Sequence, residues 1–307
     1  MKACVIGGTG HIGTNLAPML VDAGFKVTVV TRGRTPIPTV GAWSRVTCVR
    51  GVYERGVASW GRVLEEVGAE LVIDILARDV PSTYEAAKGK CRHFIACGSL
   101  WMYGEPKVVP TPEKTQGPCP FEAYAERYRE LLETRKSAAR DGVAFTAIMP
   151  PNICGPGKVP LEGLGGRSVE VHRSHQRGDP VPLPEPGQTL IGPCHAEDVA
   201  QGFLLAAQQP EAADGGIYNV GARYALTAVE FMETYGRIYG TDIPIEWHSW
   251  QDYETKVCPD PGANYHFRAH MCPDIRKIAA HLGYAPRYTP EEAMEAAVSW
   301  MKSEELL

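Results

Sequence analysis

The sequence lacks the features that define several broad classes of protein. Its nine cysteines include no C-x-x-C pair and no cluster with zinc-ligand spacing, so we expect no metal site and no redox dithiol. Positive charge is scarce, since 31 Lys and Arg face 36 Asp and Glu for a net charge of −5. No basic field therefore points to nucleic acid. No uninterrupted apolar run reaches the roughly 18 residues of a membrane span. We expect reduced thiols, a cytoplasmic location and no membrane or nucleic-acid partner.

Strand-like and helix-like segments alternate through the first half of the chain. The strand-like segments are KACVIGG, KVTVVTR, RVTCVRG, ELVIDILA, RHFIACGS and VAFTAIMP. Helical patterns lie between them, although Pro18 interrupts the first one. Strands that are separated by helices imply parallel crossovers. The sequence therefore predicts an α/β fold with a doubly wound parallel sheet.

The glycine-rich segment VIGGTGHIG, residues 5–13, carries the strongest chemical signal. It follows the first predicted strand and opens the first predicted helix. Glycines in this context permit a tight turn and let backbone amides approach a pyrophosphate, while the helix N-terminus adds favourable partial charge. A dinucleotide site is therefore expected. The candidate cofactor-binding residues of this loop are Gly7, Thr9, Gly10, His11, Ile12 and Gly13.

The end of the second predicted strand bears on the choice of dinucleotide. NAD sites usually place an acidic residue there for the ribose hydroxyls, whereas this chain has Arg32 and Arg34. The two arginines either pair with a 2′-phosphate or are solvated turn charges. We predict NADP as the cofactor, with NAD as the alternative.

The composition and the hydrophobic periodicity of the sequence change after Pro150. Residues 150–193 hold many Pro and Gly and few long periodic runs, yet apolar residues persist. Such a stretch is typical of a substrate loop region. We expect a dinucleotide-binding domain from residues 1–155 plus about 190–225. A smaller substrate-binding lobe would comprise about 156–189 plus 226–307.

Taken together, several segments resemble the extended short-chain dehydrogenase/reductase superfamily, specifically its NAD-dependent epimerase/dehydratase group. The resemblance spans nearly the whole chain and implies a Rossmann-type sheet with a smaller C-terminal lobe. It also implies cofactor contacts from Ala77, Pro150 and Asn152, and a homodimer that pairs through 81–89 and 121–140. The matching segments are GGTGHIG, LVIDILA, FIACGSLWMYG, PPNICGPG, CHAEDVAQGFLLAAQ, GIYNVG and DIRKIAAHLGYAPRYTPEEAMEAAVSWM.

The resemblance also implies the catalytic residues. Ser99 occupies the family's hydroxyl position before Tyr103-Gly104, and Tyr124 occupies the tyrosine of its Y-x-x-x-K motif. In such enzymes the tyrosine exchanges a proton with a substrate hydroxyl or carbonyl, and the serine hydrogen-bonds the same oxygen. A serine at a strand end is the simpler interpretation of Ser99.

The family's lysine is replaced by Tyr128. In the family this lysine lowers the tyrosine pKa, so its loss makes Tyr124 a poorer base and favours its role as an acid. Arg127 shares a helix face with Tyr124 and is a candidate for the missing positive charge. Alternatively, both tyrosines are packing residues.

The expected substrate is sugar-like, but the family's diphosphate-binding arginines are absent. Met149 stands at one such position, and Ile191, seven residues before Asp198, stands at another. A nucleotide diphosphate-sugar is therefore less strongly indicated than in the family at large, and a smaller sugar, a polyol or an aglycone ketone becomes an alternative. Arg173, Arg177 and Arg268 are candidates to replace the lost charge, or else they are solvated. His195 is expected to cap the helix that follows it.

These observations predict an NAD(P)-dependent oxidoreductase, epimerase or dehydratase that acts by hydride transfer. The competing hypothesis is a catalytically impaired, dinucleotide-binding regulatory or binding protein. RNA binding is disfavoured by the net acidity of the chain.

Overall fold

The computed structural model describes residues 1–35, 37–53 and 58–307. Its strands are β1 (Lys2–Ile6), β2 (Lys26–Thr31), β3 (Thr47–Arg50), β4 (Leu71–Asp74), β5 (His93–Cys97), β6 (Ala144–Met149), β7 (Asn152–Cys154), β8 (Val181–Pro184), β9 (Leu190–Ile191), β10 (Pro193–His195), β11 (Gly216–Asn219), β12 (Leu226–Thr227) and β13 (Ile245–His248). Its α-helices are α1 (Gly13–Asp22), α2 (Ala58–Val67), α3 (Val80–Ala87), α4 (Glu122–Asp141), α5 (Val169–Arg177), α6 (Ala196–Gln208), α7 (Pro210–Ala213), α8 (Ala228–Tyr239), α9 (Trp250–Asp252), α10 (Pro261–Arg268), α11 (Arg276–Leu282) and α12 (Pro290–Ser303). Short 3₁₀ turns cover Gly41–Arg45 and Leu100–Tyr103, and a π-helical turn covers Tyr253–Val257.

A seven-stranded sheet organises the molecule, in the order β11-β6-β5-β4-β1-β2-β3. All of its pairings are parallel. The strand order reverses between β1 and β4, where Ile6 lies beside Asp74. In open α/β sheets a ligand binds outside the carboxyl ends of the strands at this reversal. The predicted doubly wound fold is confirmed.

Helices cover both faces of the sheet with apolar side chains. One face buries the aromatic residues Tyr84, Phe94 and Phe145 against α2, α3 and α4. The other face buries Leu16 and Phe203 together with α1, α6 and α11. Helix α1 is continuous although Pro18 lies inside it. The strands are buried from both sides, which explains their nearly unbroken apolar sequences.

A third apolar cluster lies beside the sheet domain. It is centred on Leu183, Phe231, Tyr235, Phe267 and Met294, and all of them are essentially inaccessible to solvent. The two-strand pair of β8 and β13 belongs to this region. The proposed division into a dinucleotide-binding domain and a substrate-binding lobe remains a prediction. Helix α11, within the predicted lobe, packs on the sheet core.

The segment between 150 and 193 contains more regular structure than its sequence suggests. Helix α5 begins after Ser168, whose hydroxyl accepts the Val171 amide, and ends at Gly178 in the left-handed conformation. Across 1–35, 37–53 and 58–307, no helix combines the length and the apolarity that a bilayer crossing requires.

Candidate active site

The glycine loop between β1 and α1 has the geometry of a phosphate cradle. Gly7 has a φ of +83° and faces Leu76, so only glycine fits there without strain. A Cβ atom at Gly13 would lie 2.4 Å from the Gly8 Cα, which makes this glycine necessary for the close approach of helix and strand. A Cβ atom at Gly10 would meet only the Gly7 carbonyl at 3.2 Å. The open space above Gly10 therefore fits a dinucleotide pyrophosphate.

Polar side chains of the same loop form hydrogen bonds that hold the loop in place. The hydroxyls of Thr9 and Thr31 lie 2.9 Å apart, and both residues are buried. The His11 Nε2 lies 3.1 Å from the Gly155 carbonyl, so this ring ties the loop to the segment after β7. Burial lowers the pKa of His11 to about 4. Thr9 and His11 thus hold the loop in place, whereas Ile12 lines the central cleft.

The two candidate NADP-selecting arginines lie at the outer end of the loop. Arg32 and Arg34 line the same recess as Gly10 and Thr31, beyond the end of β2. Gly33 between them has a φ of +72°, and its amide donates to the Thr31 hydroxyl at 3.2 Å. Both arginines therefore line the recess that adjoins the glycine loop, and their selection of NADP remains a prediction.

A buried polar network supports the strand that ends beside this recess. Asp74 is inaccessible to solvent and accepts the Ala77 amide at 2.8 Å and the Tyr53 hydroxyl at 2.8 Å. The Tyr53 oxygen in turn accepts the Asp79 amide at 2.7 Å and the Thr83 hydroxyl at 2.9 Å. Burial raises the pKa of Asp74 to about 6. Ala77 has a φ of +44°, so this network holds a strained backbone at the cleft wall.

Ser99 and Tyr124 meet in a central cleft of about 350 Å³. The Ser99 oxygen caps the 3₁₀ turn after β5 by accepting the Trp101 amide at 3.3 Å. Tyr124 lies in the first turn of α4, and Ala77 lines the opposite wall. The predicted residues Pro150 and Asn152 also line this cleft. Residues from the ends of β4, β5 and β6 are therefore brought together, as expected of the carboxyl edge of a parallel sheet.

Tyr124 is half-buried among aromatic rings. Its ring centroid lies 5.4 Å from that of Trp101 and 6.3 Å from that of Phe121. The Arg127 guanidinium lies over the Tyr124 ring, 5.9 Å from its centroid. Burial raises the pKa of Tyr124, and Arg127 offsets only part of that shift. Tyr124 is therefore protonated at neutral pH and is poised to donate a proton.

Tyr128, at the position of the family lysine, points elsewhere. Its ring packs edge-on against the fully buried Tyr103, with centroids 5.7 Å apart. Its hydroxyl bonds the Thr115 side chain, and burial raises its pKa. Tyr128 is therefore a packing residue, and it cannot replace the lysine at the cleft.

Two positively charged side chains in the cleft belong to the segment after β7, and the sequence had not indicated these two residues as part of the site. Lys158 and Arg167 line the cleft beside Asn152 and His266. The Arg167 side chain is fixed by donation to the Val159 carbonyl at 2.8 Å and the Ile153 carbonyl at 3.1 Å. The loop after β7 has no periodic pattern, so its sequence offered no signal for which side chains face the cleft.

The three arginines that were predicted to replace the lost charge lie outside this cleft. Arg173 donates to the Leu306 carbonyl at 3.1 Å, and Arg177 pairs with Asp179 at 2.7 Å. Arg268 lies over the Trp250 ring. None of the three is among the described residues that line the cleft, so the hypothesis that they compensate is wrong for this cleft.

The residues at the start of α6 have a structural role. The His195 Nδ1 accepts the Glu197 amide at 3.1 Å and caps α6, as the sequence predicts. Its ring stacks on Tyr288 with centroids 3.8 Å apart. Asp198 accepts the backbone amides of Arg287 and Tyr288 at 2.8 and 3.1 Å. This cluster ties the segment before α12 to the sheet domain.

Together, the doubly wound sheet, the glycine loop and the cleft have the architecture of a Rossmann-type dinucleotide-binding enzyme. The family model of the NAD dependent epimerase/dehydratase family matches residues 82–221 of the chain. The predicted resemblance to this family and the expected enzymatic character are thereby confirmed.

Individual relatives agree with this assignment. The chain is 28% identical over 314 residues to the chloroplast stem-loop binding protein of 41 kDa b from Arabidopsis thaliana, covering 95% of this chain and 77% of that protein. It is 25% identical to a UDP-glucose 4-epimerase from Corynebacterium glutamicum, covering 94% of this chain and 92% of the epimerase. The structure of a UDP-glucose 4-epimerase from Thermotoga maritima matches with a TM-score of 0.76 and 20% identity, covering 99% and 100% of the two chains. That structural match supports the fold alone.

Proposed function

We propose that this enzyme is an NADP-dependent oxidoreductase, epimerase or dehydratase that acts on a small sugar-like hydroxy or keto compound. The observation that carries the proposal is the convergence of Ser99 and Tyr124 on one cleft with Ile12 of the glycine loop. The dinucleotide, when bound, supplies the redox chemistry of the reaction by exchanging a hydride with the substrate. The protein supplies the proton and the orientation.

Tyr124 and Ser99 have complementary roles in the proposal. Because the pKa of Tyr124 is raised, its hydroxyl donates a proton to a substrate carbonyl oxygen more readily than it removes one from an alcohol. The Ser99 hydroxyl donates to the same oxygen and thereby stabilises developing negative charge there. This pairing favours the reductive direction at neutral pH.

A sugar-like substrate is supported by the relatives, of which several are named as nucleotide-sugar enzymes. This chain has no arginine at the two positions where the family binds the diphosphate of a nucleotide sugar. Met149 and Ile191 are fully buried in apolar surroundings. We therefore favour a small, non-nucleotide substrate. Nine free thiols support a cytoplasmic location.

The test replaces Tyr124 with phenylalanine. Tyr124→Phe keeps the aromatic packing and removes only the transferable proton, so kcat should fall by about 10²-fold or more, while the dinucleotide Kd is unchanged. Tyr128→Phe is the matched control, since this tyrosine lies on the same helix and packs away from the cleft. Turnover on a panel of sugars and ketones, followed by NADPH absorbance, measures both variants.

The competing hypothesis, a dinucleotide-binding regulatory or binding protein, makes the opposite prediction. It is favoured by the position of Tyr128, which leaves Tyr124 without the family's lysine. The relative that is named as a stem-loop binding protein extends the alternative to RNA, although a net charge of −5 opposes it. Equal kcat values in Tyr124→Phe and Tyr128→Phe would exclude Tyr124 from the chemistry.

A further inference from the structure

Three cationic side chains line the central cleft, namely Arg127 over the Tyr124 ring, Lys158 and Arg167. Lys158 and Arg167 both line it. Neither has an ion pair with an acidic side chain in the described part of the chain. The described residues that line the cleft include no Asp or Glu. The acidic residue nearest in sequence, Glu162, is buried and accepts the backbone amides of Leu164 and Gly166.

A buried amide in the same wall also lacks a partner. Asn152 is only 8% exposed, and its Nδ2 has no hydrogen-bond partner. A buried donor that is left unpaired costs about 1–3 kcal/mol, which a bound acceptor would recover. The His266 Nδ1 is likewise buried and unpartnered, beside the Trp101 ring at 4.8 Å. The wall therefore offers a lysine and an unpartnered amide donor beside Arg167, two of whose donors are bonded to backbone carbonyls.

The electrostatics of these side chains agree with that geometry. Desolvation lowers the pKa of Lys158, and the nearby Arg167 lowers it further. Desolvation also lowers the pKa of Arg167. Two like charges held together in a partly desolvated wall are unfavourable until an opposite charge binds. The backbone contacts of Arg167 keep its guanidinium in place, so the wall is preorganised for an anion.

We propose that Lys158, Arg167 and Asn152 form an anion subsite that binds a phosphate or carboxylate carried by the substrate itself. The substrate would then be an acidic monosaccharide, either a sugar phosphate or a sugar acid, without a nucleotide. The subsite lies in the same cleft as Ser99 and Tyr124, so the anionic group would orient the reacting carbon toward them. This inference rests on the proposed function, because it assigns the substrate class of that cleft.

The experiment measures equilibrium binding and needs no turnover. Protein saturated with NADP is titrated calorimetrically with glucose 1-phosphate, glucuronate, neutral glucose and UDP-glucose. At least one of the two acidic monosaccharides should bind about 10-fold or more tightly than glucose. UDP-glucose should bind no more tightly than glucose 1-phosphate. The two acidic probes distinguish a phosphate from a carboxylate as the preferred anion.

The key variant is Lys158→Met, which removes the charge from a side chain without hydrogen bonds to lose. It should abolish the preference for the acidic probe and leave the NADP Kd unchanged. Lys136→Met, an exposed lysine on α4, is the matched control and should preserve both values. Arg167→Lys keeps a positive charge but removes the planar guanidinium and its two backbone hydrogen bonds. It should therefore weaken binding of the acidic probe as well.

Three results would overturn the proposal. Equal affinities for glucose and both acidic probes, or no binding of either, would show that the cleft does not select an anion. A parallel loss of NADP affinity in Lys158→Met would assign the cations to the cofactor phosphates. Much tighter binding of UDP-glucose than of glucose 1-phosphate would instead indicate a nucleotide-sugar substrate. Each of these results leaves the role of Tyr124 to its own test.

Discussion

At the scale of single residues, the glycine loop separates positions that the fold needs from positions that the ligand needs. A side chain at Gly13 would collide with backbone, whereas one at Gly10 would project into open space. The same residue type therefore has two different functions within four positions of the chain.

Gly10→Val should abolish dinucleotide binding while the protein stays folded. Its Cβ would make one tight contact, with the Gly7 carbonyl at 3.2 Å, which needs only a small shift, and the added methyl groups fill the space for the pyrophosphate. Calorimetry with NADP should detect no binding, and circular dichroism should remain native. Gly13→Ala is the contrasting variant and should lower the melting temperature, because its Cβ would meet the Gly8 Cα at 2.4 Å. Unchanged NADP affinity in Gly10→Val would refute the loop assignment.

Arg34→Ala should weaken NADP binding by about tenfold and leave NAD binding unchanged, because a charge-assisted contact to phosphate is worth roughly 1.5–3 kcal/mol. Arg45→Ala is a suitable control, since Arg45 is exposed and pairs with Asp22 at 2.6 Å. Fluorescence titration with both cofactors measures the preference. Equal wild-type affinities for NAD and NADP would contradict the assignment of these arginines.

The proposed catalytic pair was accessible to sequence reasoning, but its surroundings were not. Ser99 and Tyr124 follow a motif with fixed spacing, which brings them to one cleft here. Lys158 and Arg167 come from a loop whose side-chain directions depend on tertiary contacts such as the bond of His11 to Gly155. The partnership of Tyr53, which follows β3, with Asp74 at the end of β4 likewise depends on the folded sheet.

At the scale of elements, caps set where the helices begin. Thr289 and Glu292 form a reciprocal capping box at α12, with bonds of 3.2 and 2.7 Å. The helix then buries Ala293, Met294 and Val298 in the third apolar cluster. The cap therefore positions a large apolar surface.

Thr289→Ala should lower the free energy of unfolding by about 1 kcal/mol, the usual effect of removing an N-cap hydroxyl. Thr289→Ser retains the hydroxyl and should stay close to wild type. Urea denaturation followed by circular dichroism measures both variants. Equal losses in the two variants would show that the methyl group, not the cap, matters at this position.

Strands were easier to predict than the helices of the lobe. The strands of the central sheet are β-branched and apolar because both faces are covered. Helix α5 has the polar sequence VEVHRSHQR, so its apolar periodicity is weak. The residues that could have predicted α5 from the sequence are its N-cap Ser168 and its C-cap Gly178.

At the scale of the whole molecule, buried neutral histidines set the response to acid. His93, His172 and His175 are at most 2% exposed, and burial lowers the pKa of each to about 4. In the unfolded chain a histidine titrates near 6.5. The unfolded state thus binds more protons between pH 6.5 and 4, so stability is present above this window and is lost as the pH falls through it.

Lowering the pH from 7 to 5 should therefore reduce the free energy of unfolding, and His11 and His266, whose pKa values burial lowers to about 4 and about 3, act in the same direction. Each of the three histidines contributes roughly 2 kcal/mol, and Asp74, whose pKa is raised, offsets part of the loss. Urea denaturation at the two pH values measures the change. His93→Gln keeps a donor for the Thr146 hydroxyl, which lies 2.8 Å from the His93 Nε2, and it should shrink the pH dependence by about 2 kcal/mol. An unaltered pH dependence in this variant would contradict the argument.

A homodimer through α3 and α4 remains a prediction. The exposed positions of α4 include Arg129, Glu133 and Lys136, so contacts made there would be polar. A dimer of this kind should dissociate at high ionic strength. Light scattering at low and high salt measures it, and a monomer mass under both conditions would exclude the dimer.

We expect the His11 bridge to couple ligand binding in the two halves of the cleft. The ring holds the glycine loop to the Gly155 carbonyl, 3.1 Å away, at the start of the segment that carries Lys158. A ligand that orders one end of this bridge reduces the entropic cost of ordering the other. By reciprocity, the factor by which NADP tightens an acidic sugar must equal the factor by which that sugar tightens NADP. His11→Ala should bring both factors toward one, so that the two ligands bind independently.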